Sequence, residues 1–306
     1  MNPYQIGLII QACVSVIAVA AVFILTGLGG MFSLGQAAYL CIGAYTTFLL
    51  MQYAGLPLLL AAFLGVASGA ILAFIVGLLT LKLRRDYFTL MSVALGQAIP
   101  ALVVVFKDVT RGALGYTKIP KIENLIWITI AITALVLFCA RNFKYSRFGR
   151  MCLALKSDEL AAKSFGINVY RLKIKTYILA SAIGCVAGIL LALRSRYIDN
   201  NMFSWAYSAE MQIFMFFGGT NSLTGSAISA FLLKLLPSFL RDVTVFGQSM
   251  EEYRTILYCI LILLVINFRP KGLLGEKELG FAALRRVFAG RGGKSKAPEK
   301  GRETHE

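Results

Sequence analysis

Side chains that could carry acid–base, metal or nucleophilic chemistry are scarce in this 306-residue sequence. It has one histidine, His305, so a site that needs histidine as a ligand or a base is not expected. The six cysteines are scattered and form no Cys-x-x-Cys pair, which indicates packing residues rather than a metal centre. No set of a nucleophile and its base is recognisable. We therefore predict no catalytic residue, no metal site and no cofactor, and a chain that is not an enzyme.

One short motif, GRGGKS at residues 290–295, is similar to part of a phosphate-binding loop. A Walker A loop needs another glycine five positions before the glycine of its Gly-Lys-Ser, and Phe288 stands there. It also needs a strand before it and a helix after it, whereas this copy lies in a charged, glycine-rich tail. The chain is therefore expected to carry no ATPase of its own.

The loop of residues 141–175, RNFKYSRFGRMCLALKSDELAAKSFGINVYRLKIK, predicts a short helix over roughly 158–165. Ser157 is the predicted N-cap, the acidic pair that follows it suits the positive end of the helix dipole, and Gly166 is the predicted stop. A helix of two turns is marginal by itself in water. We therefore expect it to dock on something, with an amphipathic helix lying on the membrane surface as the alternative.

The two sides of this short helix differ in chemistry. We predict that Ala161, Ala162 and Phe165 share one small, mildly apolar face that fits a shallow groove. Glu159 and Lys163 are four residues apart, so they are predicted to pair on the opposite side, a contact that contributes about 0.3 kcal/mol.

Two glycine-rich stretches interrupt the apolar sequence: GLGGMFSLGQ at 27–36 and GGTNSLTGSA at 218–227. Both contain Gly-Gly, two residues, then Ser-Leu, which indicates two copies of one turn. Irregular backbone at membrane depth is tolerated where it is buried in protein or lines a wet cavity, as at transporter pathways. A plain tight turn at the membrane surface is the alternative. The residues predicted to line a translocation path are Gly29, Gly30, Ser33, Gln36, Gly218, Gly219, Asn221 and Ser222.

Membrane helices are the elements that must position these residues. The chain is 58% hydrophobic and 15% charged, against about 45–50% and about 25% in an ordinary soluble domain. Crossing the apolar core of a bilayer takes about 20 helical residues. The apolar stretches that reach or approach this length are 6–26, 34–53, 56–80, 87–106, 125–140, 173–193, 225–240 and 254–268. We predict an all-α, polytopic helix bundle of about eight or nine spans with an internal repeat.

Glycine spacing and charge add packing and orientation to this bundle. The GxxxG pairs Gly65–Gly69 and Gly184–Gly188 predict close helix packing. Segments 81–86 and 141–175 carry twelve Lys and Arg residues, and the chain from Arg269 onward carries ten. Because basic residues favour the cytoplasmic side, these parts and the C-terminus are predicted to lie inside and the N-terminus outside. The net charge of +16 then reflects loops near anionic lipid, and no nucleic-acid partner is expected.

Several stretches resemble the M-type permease subunit of branched-chain amino-acid ABC transporters. ELAAKSFGIN, residues 159–168, has the Glu-x-Ala-Ala-x-x-x-Gly form of the loop through which such permeases meet their ATPases. The similarity runs over roughly residues 20–275 and includes GLGGMFSLGQAAYLCIGAYT, LKLRRDYFTLMSVALGQ, FFGGTNSLTGSAISAFLLKLLP and INFRPKGLLG. It implies a transmembrane permease domain over 1–272, followed by a basic cytoplasmic tail over 273–306.

The resemblance also implies partners and cargo. It implies a second homologous permease subunit, two ATP-binding ATPase subunits, a periplasmic substrate-binding protein and the lipid bilayer of the bacterial inner membrane. ATPase coupling is assigned by it to Glu159, Ala161, Ala162, Phe165 and Gly166. Leucine, isoleucine and valine are the expected cargo, and urea, short amides or other amino acids are alternatives. A stand-alone channel or secondary carrier is the alternative of another class, although Glu210 is the only acidic residue close to a span that a proton gradient could use.

Overall fold

The structure, a computed structural model, describes residues 3–83, 85–117 and 119–239, the pairs 244–245 and 248–249, and residues 260 and 263. That part of the chain is built from helices, which confirms the predicted all-α class. A short antiparallel pair, β1 (Thr244–Val245) and β2 (Gln248–Ser249), is the small exception. Residues 250–259 and 264–306, which include the predicted tail and most of the predicted span 254–268, lie outside the described residues.

The helices follow one another with short connections. A π-helical turn, Phe23–Leu28, continues α1, and 3₁₀ turns lie at Gly112–Leu114 and Asn200–Phe203. In chain order the α-helices of the described part are α1 Pro3–Val22, α2 Gln36–Ala54, α3 Leu58–Thr80, α4 Arg85–Val105, α5 Lys107–Thr110, α6 Leu125–Tyr145, α7 Arg147–Ser157, α8 Glu159–Ser164, α9 Val169–Ser195, α10 Trp205–Gly218 and α11 Leu223–Phe239.

Five helices of the described part are long and apolar enough to cross a membrane. They are Tyr4–Leu28, which joins α1 to its π-helical turn, together with α3, most of α4, α6 and α9. The predicted spans 34–53 and 225–240 correspond to α2, of 19 residues, and α11, of 17 residues. The total of eight or nine spans stays a prediction.

The bundle has two central helices and an apolar outer ring. In their most apolar windows, 83% of the residues of Tyr4–Leu28 and 78% of those of α9 are buried, against 22% in each of α3, α4 and α6. The outer helices expose large apolar side chains such as Leu59 and Phe63. Lipid tails are as apolar as these side chains, so such a surface is stable in a bilayer and would aggregate in water.

Glycines set how closely α2, α3 and α9 approach one another. A Cβ on Gly188 of α9 would overlap the backbone of Leu40 in α2, and one on Gly65 or Gly69 of α3 would overlap Thr47 or Cys185. Larger side chains at these positions would push the helices apart. The expected close packing is confirmed at Gly65, Gly69 and Gly188, whereas a Cβ on Gly184 would lie 3.5 Å from its nearest neighbour, an ordinary contact.

Candidate translocation and coupling site

The first glycine-rich break begins where α1 ends. Its π-helical turn stops at Leu28, Gly29 follows as the C-cap, and the chain stays irregular until α2 begins at Gln36. Gly30 has φ +66°, a left-handed conformation that only glycine adopts without strain. A Cβ on Gly30 would also lie 3.1–3.2 Å from side-chain and backbone atoms of Lys156. Glycine is needed at this position both for the turn and for the approach of α7.

The second break connects α10 to α11 in the same manner. Gly219 ends α10 with φ +115°, so in each copy the second glycine of the pair has positive φ. A Cβ on Gly218 would overlap the backbone of Gly225 and Ser226, which means that the two helices touch just above the turn. Ser222 Oγ accepts a 3.1 Å hydrogen bond from the Gly225 amide and caps the start of α11.

A lysine from α7 joins the two breaks. Lys156 Nζ donates to the carbonyl oxygen of Gly27 at 2.8 Å and to Asn221 Oδ1 at 2.7 Å. Lys144 of α6 donates to the backbone oxygen of Asn221. The pKa of Lys156 lies below its usual value because the group is removed from water and because Lys144 adds a nearby positive charge. Breaks that are 189 positions apart in sequence are thus brought within reach of one ammonium group.

Helix α10 holds the first break from its other side. The buried Gln212 donates through Nε2 to Thr26 Oγ1 at 3.0 Å and to the Ser33 carbonyl oxygen at 2.8 Å. Ser208 Oγ accepts from the amide of Ala37 at 2.8 Å, which satisfies a donor in the first turn of α2. The first break is therefore enclosed by protein on both sides.

The predicted path residues differ in exposure. Ser33, Gln36 and Ser222 are fully buried, whereas Asn221 is half-buried. Neither polar atom of the Gln36 side chain has a hydrogen-bond partner within the described residues. In this conformation the break is packed closed around Ser33 and Gln36, while Gly29 and Gly30 border a small cavity. A role in lining a path stays a prediction.

The short helix of the cytoplasmic loop exists with corrected ends. It is α8, Glu159–Ser164, and its N-cap is Asp158 instead of the predicted Ser157. The Asp158 carboxylate accepts from the amides of Leu160 and Ala161 at 2.8 and 3.2 Å, while Ser157 is still helical as the last residue of α7. An ionised carboxylate at this position satisfies two amides and suits the helix dipole, which explains the one-residue shift.

The predicted stop at Gly166 is confirmed. Gly166 has φ +78°; its amide donates to the Lys163 oxygen, and the Ile167 amide donates to the Ala162 oxygen at 3.2 Å. These two bonds form a Schellman motif, in which glycine takes the left-handed position after the helix.

The predicted apolar face of α8 is wrong in one respect. Ala162 is buried against the protein, whereas Ala161 is exposed and Phe165 is 86% exposed. Adjacent helical residues point about 100° apart, which lets Ala162 face the protein while Ala161 faces outward. Leu160, at 74% exposure, joins the outward apolar surface instead.

Ionic contacts fasten α8 to the membrane domain. Glu159 lies 3.4 Å from Lys163, as predicted, and 2.8 Å from Lys173 of α9. Burial by itself would raise the pKa of the Glu159 carboxyl, but its hydrogen bonds and the charges of the two lysines lower it below the usual value. The same segment, 156–159, therefore contacts the breaks at one end and starts α8 at the other.

Sequence reasoning missed Lys156 and Lys144 as members of this site. A lysine in the apolar last turns of α7, LALKS, was the available signal. The predicted residues Glu159, Gly29 and Gly30 do come together, since they line one small cavity with Leu155 and Lys173.

A family model described as "Branched-chain amino acid transport system / permease component" matches residues 4–266. The chain belongs to this family. The helices of the described part and the family agree on a multi-pass membrane protein.

Curated relatives agree with that assignment. The "High-affinity branched-chain amino acid transport system permease protein LivM" of Escherichia coli (strain K12) is 26% identical over 288 residues, covering 82% of this chain and 65% of that protein. The permease thus spans about two thirds of the length of this relative. A "Probable branched-chain amino acid transport permease protein LivM" of Methanocaldococcus jannaschii is 28% identical and covers 73% and 69% of the two chains. The LivH protein of Escherichia coli (strain K12) is 29% identical over 53% of this permease and 50% of its own length.

A solved structure, "PsaBC from Streptococcus pneumoniae in complex with Fab", superimposes with a TM-score of 0.50. It covers 89% of this permease and 93% of that chain at 18% sequence identity. A likeness at this identity shows a shared fold, and the fold is a membrane helix bundle.

Proposed function

We propose that this permease is the membrane-spanning subunit of an ATP-driven importer for leucine, isoleucine and valine in the bacterial inner membrane. A homologous second permease completes the path, two ATPase subunits bind from the cytoplasm, and a periplasmic protein delivers the cargo. The relatives support the cargo, because each is named as a branched-chain amino acid transport permease. The C-terminus lies in the cytoplasm, since the basic residues cluster in the loops of 81–86 and 141–175 and in the tail.

One observation carries the proposed mechanism: Lys156 hydrogen-bonds both glycine-rich breaks and lies three residues before α8. The ATPase binds the outward surface of α8, which is formed by Leu160, Ala161 and Phe165. Because α7 directly precedes α8, a movement of the ATPase that displaces α8 displaces α7 as well. Movement of α7 then withdraws the ammonium group from Gly27 and Asn221 and frees the two breaks. Glu159, Ala162 and Gly166 keep α8 docked and correctly ended during that motion.

The breaks suit a path for zwitterions. Ser33, Gln36, Asn221 and Ser222 offer hydrogen bonds without a fixed charge, and Gly29, Gly30, Gly218 and Gly219 allow the backbone to come close to the cargo. A solute held only by neutral groups binds weakly enough to leave again.

Uptake by the reconstituted complex tests this proposal. The permease is co-purified with the neighbouring gene products and reconstituted in proteoliposomes, with the binding protein added outside. Uptake of radiolabelled leucine is then measured with or without ATP enclosed in the vesicles. Leucine entry that requires ATP and both ATPases supports the importer. Entry without ATPases would identify a channel or secondary carrier instead, and ATP-dependent entry of urea or short amides in place of leucine would reassign the cargo.

A further inference from the structure

A second polar region lies at the end of α10 and α11 opposite to the breaks. A cavity opens there between the end of α9, the 3₁₀ turn Asn200–Phe203 and the facing surfaces of α10 and α11. Three charged side chains line it: Arg194, Glu210 and Lys234. Charged groups inside the membrane part of a protein are costly and are by default candidates for function.

Two of these charges form an ion pair that is largely withdrawn from water. Lys234 Nζ lies 3.0 and 3.1 Å from the two carboxylate oxygens of Glu210. The side chains of Lys234 and Glu210 are 9% and 17% exposed. Lys234 also lies 5.4 Å from the ring centre of Tyr207, which borders the same cavity. The pair holds a carboxylate at a defined place on the cavity wall.

The third charge is oriented without a carboxylate of its own. Arg194 Nε donates to the Gly7 carbonyl oxygen at 3.0 Å, which fixes the plane of the guanidinium group. Among the described residues its two Nη atoms make no hydrogen bond. A guanidinium that presents both terminal nitrogens is suited to hold a carboxylate in two parallel hydrogen bonds.

Part of the remaining wall is apolar, and the rest includes the polar residues Gln11, Asn201 and Ser204. Leu191, Met202 and Ile213 line the cavity beside the charged groups. One acidic and two basic groups give the cavity a net charge of about +1, which a bound carboxylate neutralises. The cavity therefore combines a group that can bind a carboxylate, Arg194, a group that can bind an ammonium, Glu210, and an aliphatic surface.

We propose that this cavity, at the end of the bundle opposite to the breaks, binds the head group of a free aliphatic α-amino acid. Arg194 binds the α-carboxylate, Glu210 accepts from the α-ammonium while keeping its contact with Lys234, and the aliphatic side chain lies on Leu191 and Ile213. This site deepens the proposed import function and rests on it for the choice of cargo. A purely structural ion pair is the competing explanation.

Trp205 gives a direct readout, because it borders the cavity and the chain has one other tryptophan, Trp127. The full chain carrying Trp127→Phe is placed in lipid nanodiscs, and Trp205 emission is titrated with four probes. These are leucine, 4-methylpentanoate, which lacks the ammonium, isoamylamine, which lacks the carboxylate, and leucinamide, in which the carboxylate is replaced by an amide. We expect a saturable shift with leucine, a weaker one with 4-methylpentanoate, and none with isoamylamine or leucinamide.

Arg194→Gln is expected to raise the half-saturating leucine concentration by about tenfold or more, since it removes one partner of a charged contact. Arg196→Gln is the matched control, because Arg196 is exposed two positions further on and does not line the cavity. Glu210→Gln should make leucine and 4-methylpentanoate bind alike. Arg194→Lys, which keeps the charge, guards against a folding defect, and elution as one monodisperse species checks each variant.

The outcomes separate this site from the import proposal. The site is overturned if leucine leaves Trp205 emission unchanged, if isoamylamine acts as strongly as leucine, or if Arg194→Gln and Arg196→Gln bind leucine equally well. When any of these occurs while the reconstituted complex still imports leucine, import stands without this site. A saturable leucine shift without ATP-dependent uptake supports the site and contradicts the importer.

Discussion

The two ends of the α10–α11 hairpin are built in opposite ways. At the end with the breaks, Gly218 touches the backbone of Gly225, and Lys156 meets neutral oxygens of Gly27 and Asn221. At the other end the two helices line a cavity, and Lys234 meets the carboxylate of Glu210. Close backbone packing and neutral acceptors suit a contact that closes the two breaks and must open again during transport. An open cavity with fixed charges suits the binding of a ligand.

The largest effect is expected where this contrast in packing is greatest. Gly218→Val places a side chain into the backbone of α11, and overpacking of this kind costs about 1–3 kcal/mol or more. We expect little protein to survive detergent extraction as a monodisperse species. Ala206→Val, at an exposed position on the cavity wall, is expected to elute like the wild type. If the two variants elute alike in size-exclusion chromatography, the two ends of the α10–α11 hairpin do not differ in packing as described.

The next largest effect is expected from the lysine that joins the breaks. Lys156→Met nearly keeps the length of the side chain and removes its two hydrogen bonds. A hydrogen bond that involves a charged group contributes about 1.5–3 kcal/mol to stability. ATP-dependent leucine uptake should fall by about tenfold or more while the ATPase subunits remain bound.

Arg147→Met is the matched control for that variant, because Arg147 is exposed on the same helix. Its uptake should stay within about twofold of the wild type. If the two variants transport equally well, Lys156 is a passive contact.

A smaller effect is expected at the end of α8. Gly166→Val forces a branched residue into a left-handed conformation, at about 1–2 kcal/mol. Gly55→Val is closely matched, since Gly55 has φ +61° and, like Gly166, nothing within 4 Å of an added Cβ. Both variants should lose similar stability on heating, but only Gly166→Val should lower the ATP turnover stimulated by cargo. Equal turnover in both would argue against a coupling role for α8.

The smallest effect is expected from the contact between Glu159 and Lys173. These side chains are 37% and 16% exposed, so Glu159→Gln should weaken the docking of α8 by about 0.5 kcal/mol. The pKa of Glu159 is lowered in the folded protein, so the stabilisation is present above its usual value of 4.5 and is lost as the pH falls through the lower folded value. Hydrogen exchange of the α8 amides should therefore differ between wild type and variant at pH 7. A difference that persists after Glu159 is protonated would show that charge is not the cause.

Local signals in the sequence were enough to place several parts of the site. The Gly-Gly-x-x-Ser-Leu pattern predicted two equivalent turns, and both have a left-handed second glycine. The start of α8 was missed by one residue because Ser157 and Asp158 are both good caps, and only the geometry of α7 decides between them.

Contacts between distant segments could not be read in the same manner. Which oxygens Lys156 meets depends on how α7 packs against α6, α9 and the π-helical turn, and no spacing encodes that. Glu210 was recognisable as an acid near a span, but its partner Lys234 is 24 positions away on another helix. Such pairs are set by tertiary packing, which composition and periodicity do not specify.

A zero-length cross-link at the breaks tests the central claim most directly. Lys156 Nζ lies 2.7 Å from Asn221 Oδ1, so Asn221→Asp places a carboxylate beside the amine, and a carbodiimide joins only groups in contact. In native membranes we expect tandem mass spectrometry to find Lys156 bonded to position 221, and Lys156→Met to abolish that product. Modification of position 221 by a small soluble amine, with no link to Lys156, would contradict the convergence of the two breaks on one lysine.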